Sequence, residues 1–417
     1  MIGRIGLAGL TFGAGVAGIP WAASLRSVRG KGGSPDWDAV RKLFDLDPGY
    51  VHLAGLLLAS HPQPVRDALS GYRARLDRNP ALEWEAQSRQ AERRVRQSAA
   101  KHLRADASAV ALTGNTTMGL GLIYNGIQIR PDQEALATTH DHAVTYASLG
   151  LRAQKTGFST RRAQLYDDPA KASAAEIVHR VSQAVSAKTR VLAVTWVHSS
   201  TGVRLPLASI AEAVKRANSG RSEDDRILLC VDGVHGLGVE DVDLPSMGCD
   251  FFAAGCHKWL FGPRGTGVLW GRPESQRHVQ PTFASFSDMS WGGRMTPGGF
   301  HSFEHRWALD QAFELHARIG KAEIAARVHE LARHCKEELA KMRNVKLYTP
   351  LEDALSSGIV CFDVSGIRQD ELVDRLRERK IVASTTPYSP SYARLAPGLL
   401  NTHEEVDKAL AAIREMV

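Results

Sequence analysis

From about residue 105 to residue 271, short β-rich runs alternate with stretches whose apolar positions recur at helical spacing. Strands are expected at Ala109–Thr113, Ala135–Thr139, Val191–Val197, Ile227–Asp232, Phe251–Ala254 and Gly267–Trp270. Helices are expected at Thr116–Asn125, Ala174–Val185 and Leu207–Ala217, the last two from apolar spacing alone. This alternation predicts a mostly parallel sheet covered by helices. Beyond Phe300 the texture changes to a long helical region, Ala308 to Met342, followed by the runs Val345–Tyr348, Gly358–Val364 and Ile381–Ser384 with helices between and after them. The expected organisation is a hydrophobic segment at 1–30, an arm at 31–60, a large α/β domain at 61–300 and a small α+β domain at 301–417.

Ile5 to Ala23 carry no charge, follow Arg4 and end in Ala22, Ala23 and Ser24, the texture of a signal h-region. The segment is expected to target or anchor the chain, giving export or membrane contact; the alternative is an apolar helix lying on the protein or on a membrane surface, and without a signal the chain is cytoplasmic. No later run approaches the ~20 uninterrupted apolar residues of a membrane span. The chain has 417 residues, 43% hydrophobic and 23% charged, which suits a globular enzyme. Its formal net charge of +7 is dispersed, which favours anionic small molecules and speaks against nucleic acid. Five cysteines, odd in number and without a CxxC pair, read as buried thiols rather than a disulfide frame or a metal site.

The densest chemistry lies in Val231-Asp232-Gly233-Val234-His235-Gly236 and, one strand later, in Gly255-Cys256-His257-Lys258-Trp259 with the trailing Gly262-Pro263-Arg264-Gly265-Thr266-Gly267. In an open parallel sheet, ligands bind beyond the carboxyl ends of the strands, and Asp232 and Lys258 both fall just past strand candidates. A lysine there, among aromatics and glycines, is a candidate for a lowered pKa and a Schiff base, because desolvation penalises its ammonium form. A carboxylate on the neighbouring strand can pair with a protonated heterocycle. Pyridoxal 5′-phosphate needs that combination: the lysine captures its aldehyde, and the acid holds its ring nitrogen protonated so that the ring becomes an electron sink.

This Asp-Gly-x-His…His-Lys pattern resembles the class V aminotransferase family of fold type I pyridoxal-phosphate enzymes, which includes cysteine desulfurases and isopenicillin N epimerase-like proteins. The resemblance extends over nearly everything after residue 45. It implies a mostly parallel seven-stranded-type sheet in the large domain and a homodimer with sites built between subunits. In Thr113-Gly114-Asn115-Thr116-Thr117, between a strand and a helix, free N–H groups and the helix dipole attract a phosphate. The resemblance assigns the cofactor phosphate to Thr116 and Thr117 with His257 beside them, while Gly255 stands where many relatives carry a serine. His142, with His140 as the alternative, is then the ring that stacks on the cofactor and handles a proton. Ser199, in place of the desulfurases' asparagine, and His235 are the partners of the phenolic oxygen.

Arg394 resembles the family's clamp for the substrate carboxylate, although Ala396 and Leu400 replace the usual serine and tyrosine. Ser302 stands in for a threonine that reaches the partner subunit's phosphate in relatives; the His/Glu/Arg cluster of Phe300–Arg306 could instead face substrate. The expected function is a pyridoxal-phosphate enzyme that joins an amino acid to its cofactor and transforms it at the α-carbon, of epimerase or aminotransferase type. Lys258 is displaced by the substrate amine and then serves as general base and acid. The alternatives are a carbon–sulfur lyase without a persulfide cysteine, because Cys361 sits in a buried-strand pattern, and a non-catalytic binding module that keeps the fold.

Overall fold

A computed structural model describes residues 28–30 and 32–416. The expected signal segment, Ile5–Ala23, lies outside the described residues. Among them, no helix is long and apolar enough to cross a membrane.

Strand β1 is Val51–His52, and strands β2 to β8 (Val110–Thr113, Glu134–Thr138, Ser159–Ala163, Thr189–Thr195, Leu228–Asp232, Phe251–Gly255 and Gly267–Gly271) form one seven-stranded sheet. Its order is β2-β8-β7-β6-β5-β3-β4, with β8 antiparallel to both neighbours and the other pairs parallel. All six expected strands of this region are present within a few residues of their expected limits. The sheet contains one more. Ser159–Ala163, on the far edge beside β3, is exposed and charged, so it shows no apolar pattern to read.

Side chains along the inner strands alternate between two cores. Val110, Leu112, Leu136, Leu192, Val194, Leu229, Val231, Phe252 and Ala254 lie in one core. The intervening Ala111, Ala135, Val191, Ala193, Leu228, Cys230, Phe251 and Ala253 lie in the other. Both faces are covered, as parallel sheets require. Leu120, Ile123 and Leu149 of helices Thr116–Gly126 and Ala143–Thr156 close the second core. Ile177, Val181, Ile210 and Val214 of helices Ala174–Ala184 and Leu207–Ala217 close the first.

The C-terminal part builds a four-stranded antiparallel sheet from β9 (Val345–Leu347), β10 (Val360–Val364), β12 (Ser384–Thr385) and β13 (Ala393–Leu395), in the order β12-β13-β10-β9. Between them β11, Ile381–Val382, pairs in parallel with β1. The expected single run Ile381–Ser384 is therefore divided between two sheets. The long helical region is likewise two helices, Phe303–Ile319 and Lys321–Ala340, because Gly320 leaves the helical conformation at φ 103°. The first packs through Trp307 and Ala308 on Ala68, Tyr72 and Ala91 of helices Gln63–Arg78 and Pro80–Leu103.

Gly202 shows where the two sheets touch. At φ 76°, its missing Cβ leaves room for Ile359 O, which a methyl group would meet at 2.3 Å. Gly202→Ala should lose about 2–4 kcal/mol through backbone strain and overpacking, read as a lower urea midpoint. Gly366→Ala, at φ 82° with open space around it, should lose only about 1 kcal/mol in the same measurement.

Candidate active site

Strands β3, β5, β6 and β7 end at Thr138, Thr195, Asp232 and Gly255, so the loops that follow share one edge of the sheet. Pairing between β3 and β5 shifts register near Glu134 and runs only to Leu136 and Leu192, which leaves their carboxyl ends apart. The buried carboxylate of Asp141 spans that gap, accepting from Thr138 N–H at 2.6 Å and Thr195 N–H at 2.7 Å. Nothing local in the sequence distinguishes a strand-bridging aspartate from a turn residue, so this role of Asp141 emerges only in the fold.

Asp232 closes β6 and is 3% exposed. Burial pushes its carboxyl up to about 6, opposed by the Val234 N–H that donates to Oδ1 at 3.1 Å and by the nearby Lys258 charge. Lys258 follows β7 and is half-buried. Desolvation lowers its pKa to about 8; Asp232 acts against that shift and Arg394 with it. Nζ lies 3.3 Å from His235 Nε2, and the opposite nitrogen of that buried ring accepts from Trp259 Nε1–H at 3.3 Å. The expected lysine, aspartate and histidine therefore occupy one crevice.

Arg394, on β13, is 1% exposed and has no carboxylate partner among the described residues. Its guanidinium donates to Ser199 O at 3.0 Å, Thr385 O at 2.6 Å and Ser384 Oγ at 3.2 Å, which fixes its plane. A buried cation held by neutral acceptors keeps its charge uncompensated, which favours an anion beside it. Ser199 Oγ bonds Tyr388 Oη at 2.7 Å. Tyr388, absent from the sequence reading, meets the His142 ring edge-on at 6.3 Å. His142 caps helix Ala143–Thr156 through Nδ1, and its pKa is lowered by partial burial and then by Lys258. His140 instead stacks on Tyr166 at 4.0 Å, with its centroid 5.2 Å from that of His198, so the two alternatives separate cleanly.

At the start of helix Thr116–Gly126, Thr116 Oγ1 accepts from Gly255 N–H at 2.8 Å. A Cβ on Gly255 would stand 3.0 Å from the His257 ring and 3.1 Å from Thr116 Oγ1. The residue that departs from the serine of many relatives thus brings a hydroxyl, an imidazole and a helix N-terminus close together, a donor set suited to a phosphate. Thr117 is exposed beside it, in the first turn. Ser302 lies elsewhere in the chain, at the start of helix Phe303–Ile319, where Glu92 takes up its neighbours: Arg306 at 3.1 Å and His301 at 3.8 Å.

A doubly covered sheet with lysine and aspartate at its carboxyl edge, beside a helix N-terminus, is the arrangement of a fold type I pyridoxal-phosphate enzyme. The chain belongs to the class-V aminotransferase family, whose model matches residues 59–408, and its cofactor is pyridoxal 5′-phosphate. It is 27% identical to isopenicillin N epimerase of Streptomyces clavuligerus over 410 residues, covering 91% of this chain and 98% of that protein. A probable cysteine desulfurase of Xylella fastidiosa is 25% identical, over 91% of this chain and 95% of its own. Among solved structures, a C-DES mutant with glycine covalently linked to its pyridoxal-phosphate cofactor superposes with a TM-score of 0.81 at 20% identity, covering 90% of this chain and 99% of its own.

Lys258→Ala should abolish the near-visible absorbance of the purified protein while circular dichroism stays unchanged. Uptake of pyridoxal phosphate by cofactor-free protein requires the free amine, so its rate should rise with pH to half its maximum near 8, rather than near the 10.5 of an ordinary lysine.

Proposed function

We propose that the protein transforms an amino acid at its α-carbon, as an epimerase or an aminotransferase. The observation that carries this reading is Arg394: a fixed, buried guanidinium without a carboxylate partner among the described residues, close enough to Lys258 to lower its pKa. An amino acid supplies the missing anion and, on its neighbouring carbon, the amine.

When bound, pyridoxal phosphate supplies an electron sink for the pair left at the α-carbon. The remaining roles fall to the chain. Thr116, Thr117 and His257 would hold the phosphate; Asp232 would keep a ring nitrogen protonated; Ser199 and His235 would serve the phenolic oxygen. Arg394 orients the substrate carboxylate. With a pKa of about 8, Lys258 holds both protonation states near neutral pH, which suits a group that must take a proton from carbon and return it. Epimerisation requires proton removal on one side of the carbon and delivery on the other. His142 is a second titratable group at this crevice, and it supports that reading.

The carbon–sulfur lyase alternative draws on the relative named as a probable cysteine desulfurase. A persulfide route through a cysteine is disfavoured. All five cysteines are buried, and desolvation raises the thiol pKa of Cys361, for example, to about 12. The reading as a binding module without catalysis has no such support, because Lys258, Asp232 and Arg394 keep the chemistry of a working site.

The chain is further proposed to act as a homodimer in which Ser302 reaches the partner's phosphate. Phe286, Met289 and Phe300, exposed at 76%, 83% and 81%, lie on the segment leading to Ser302 and offer apolar surface suited to a second copy. Met289→Asp should shift gel-filtration elution from dimer to monomer.

A panel of amino acids incubated with the enzyme in deuterated water separates the reactions. Deuterium at the α-carbon of inverted amino acid means epimerisation, a keto acid means transamination, and pyruvate with released thiol means elimination. The α-carbon reading fails if no amino acid exchanges its α-hydrogen or yields a keto acid. With a responsive substrate, Arg394→Lys should raise KM by about 30-fold or more and change kcat far less, since a lysine cannot reproduce the planar clamp.

A further inference from the structure

Trp259 follows the lysine directly in the chain, and its side chain is 4% exposed. Close approaches hold it: a Cβ on Gly358 would stand 2.9 Å from the indole Cη2, and one on Gly238 would stand 2.6 Å from the main-chain carbon of Trp259. In this pose Nε1 lies 3.3 Å from His235 Nδ1, and across the same ring Nε2 lies 3.3 Å from Lys258 Nζ. An indole N–H only donates, so Nδ1 must accept. The proton of the neutral ring then sits on Nε2. The ring stays neutral first because it is buried, and then because Lys258, Arg394, His142 and His257 all disfavour a further positive charge.

The geometry points to Trp259 as a positioning residue that locks His235 in its Nε2–H tautomer, making it a standing hydrogen-bond donor toward the lysine end of the site. A donor at this place cannot accept from an ammonium group on Lys258; it pairs only with the free amine, or with a lone-pair atom of the cofactor. The lock therefore works with burial and Arg394, and against Asp232, in keeping the lysine uncharged. Its catalytic consequence rests on the reading of Lys258 as the cofactor lysine, whereas the tautomer itself does not.

Nitrogen-15 NMR of the histidine rings in the full-length holoenzyme tests the lock, with His235→Gln identifying the resonances. Wild-type protein should show a protonated Nε2 and a bare Nδ1. Trp259→Phe keeps an aromatic side chain but no donor; it should give a mixture of tautomers and move the pH midpoint of the near-visible band up by about one unit. A glutamine at 235 offers an amide donor that needs no lock, so adding Trp259→Phe to His235→Gln should leave that variant's midpoint unmoved. A purely structural tryptophan would shift both backgrounds and overturn the inference. A protonated Nδ1 in the wild type would overturn it as well, and that measurement decides even if Trp259→Phe does not fold. Absence of any near-visible band in the wild type would sink the cofactor reading and leave the tautomer result standing.

Discussion

Charges held out of bulk water at one edge of the large sheet govern the rest of this structure. Asp232, Lys258 and Arg394 converge there: the lysine's protonation responds to the acid and to the arginine, and the acid's responds to the lysine. Burial favours the neutral forms of the acid and the lysine, while the arginine keeps its charge. The pocket thus carries a fixed cation beside groups near their midpoints, an arrangement suited to binding an anion and moving protons at neutral pH.

The sheet's construction makes that arrangement affordable. Alternating residues of the inner strands fill two separate cores, so the strands are rigid up to their last residue, where Asp232 takes the same parity as Leu228 and Cys230. Parting of β3 and β5 opens room at this edge, and Asp141 keeps the parted ends satisfied. Arg394 comes from the other sheet, and its bond to Ser199 O ties the C-terminal part of the chain to the loop after β5. The side chain proposed to bind the substrate carboxylate therefore also makes contact between the two sheets.

Much of this was legible in the chain. Periodicity found the inner strands because they are apolar on both faces, and the Asp232 and Lys258 positions followed from where those strands end. The edge strand Ser159–Ala163 escaped for the opposite reason: with solvent around it, its charged residues carry no burial signal. The contacts of Tyr388 with Ser199 and of Trp259 with His235 escaped because the partners lie far apart in sequence or across a turn, and no local pattern encodes such a meeting.

The sequence by itself determined the layered fold, the family's lysine and acid, and the burial of the cysteines, since each depends on local periodicity or a short motif. Only the tertiary structure decided that His142 rather than His140 reaches the lysine's surroundings, that Arg394 has no counter-ion among the described residues, and that Trp259 orients His235. These are properties of distance and solvent exclusion between segments that the chain brings together only on folding, where a few ångströms separate a ligand-facing group from one stacked in a neighbouring cluster.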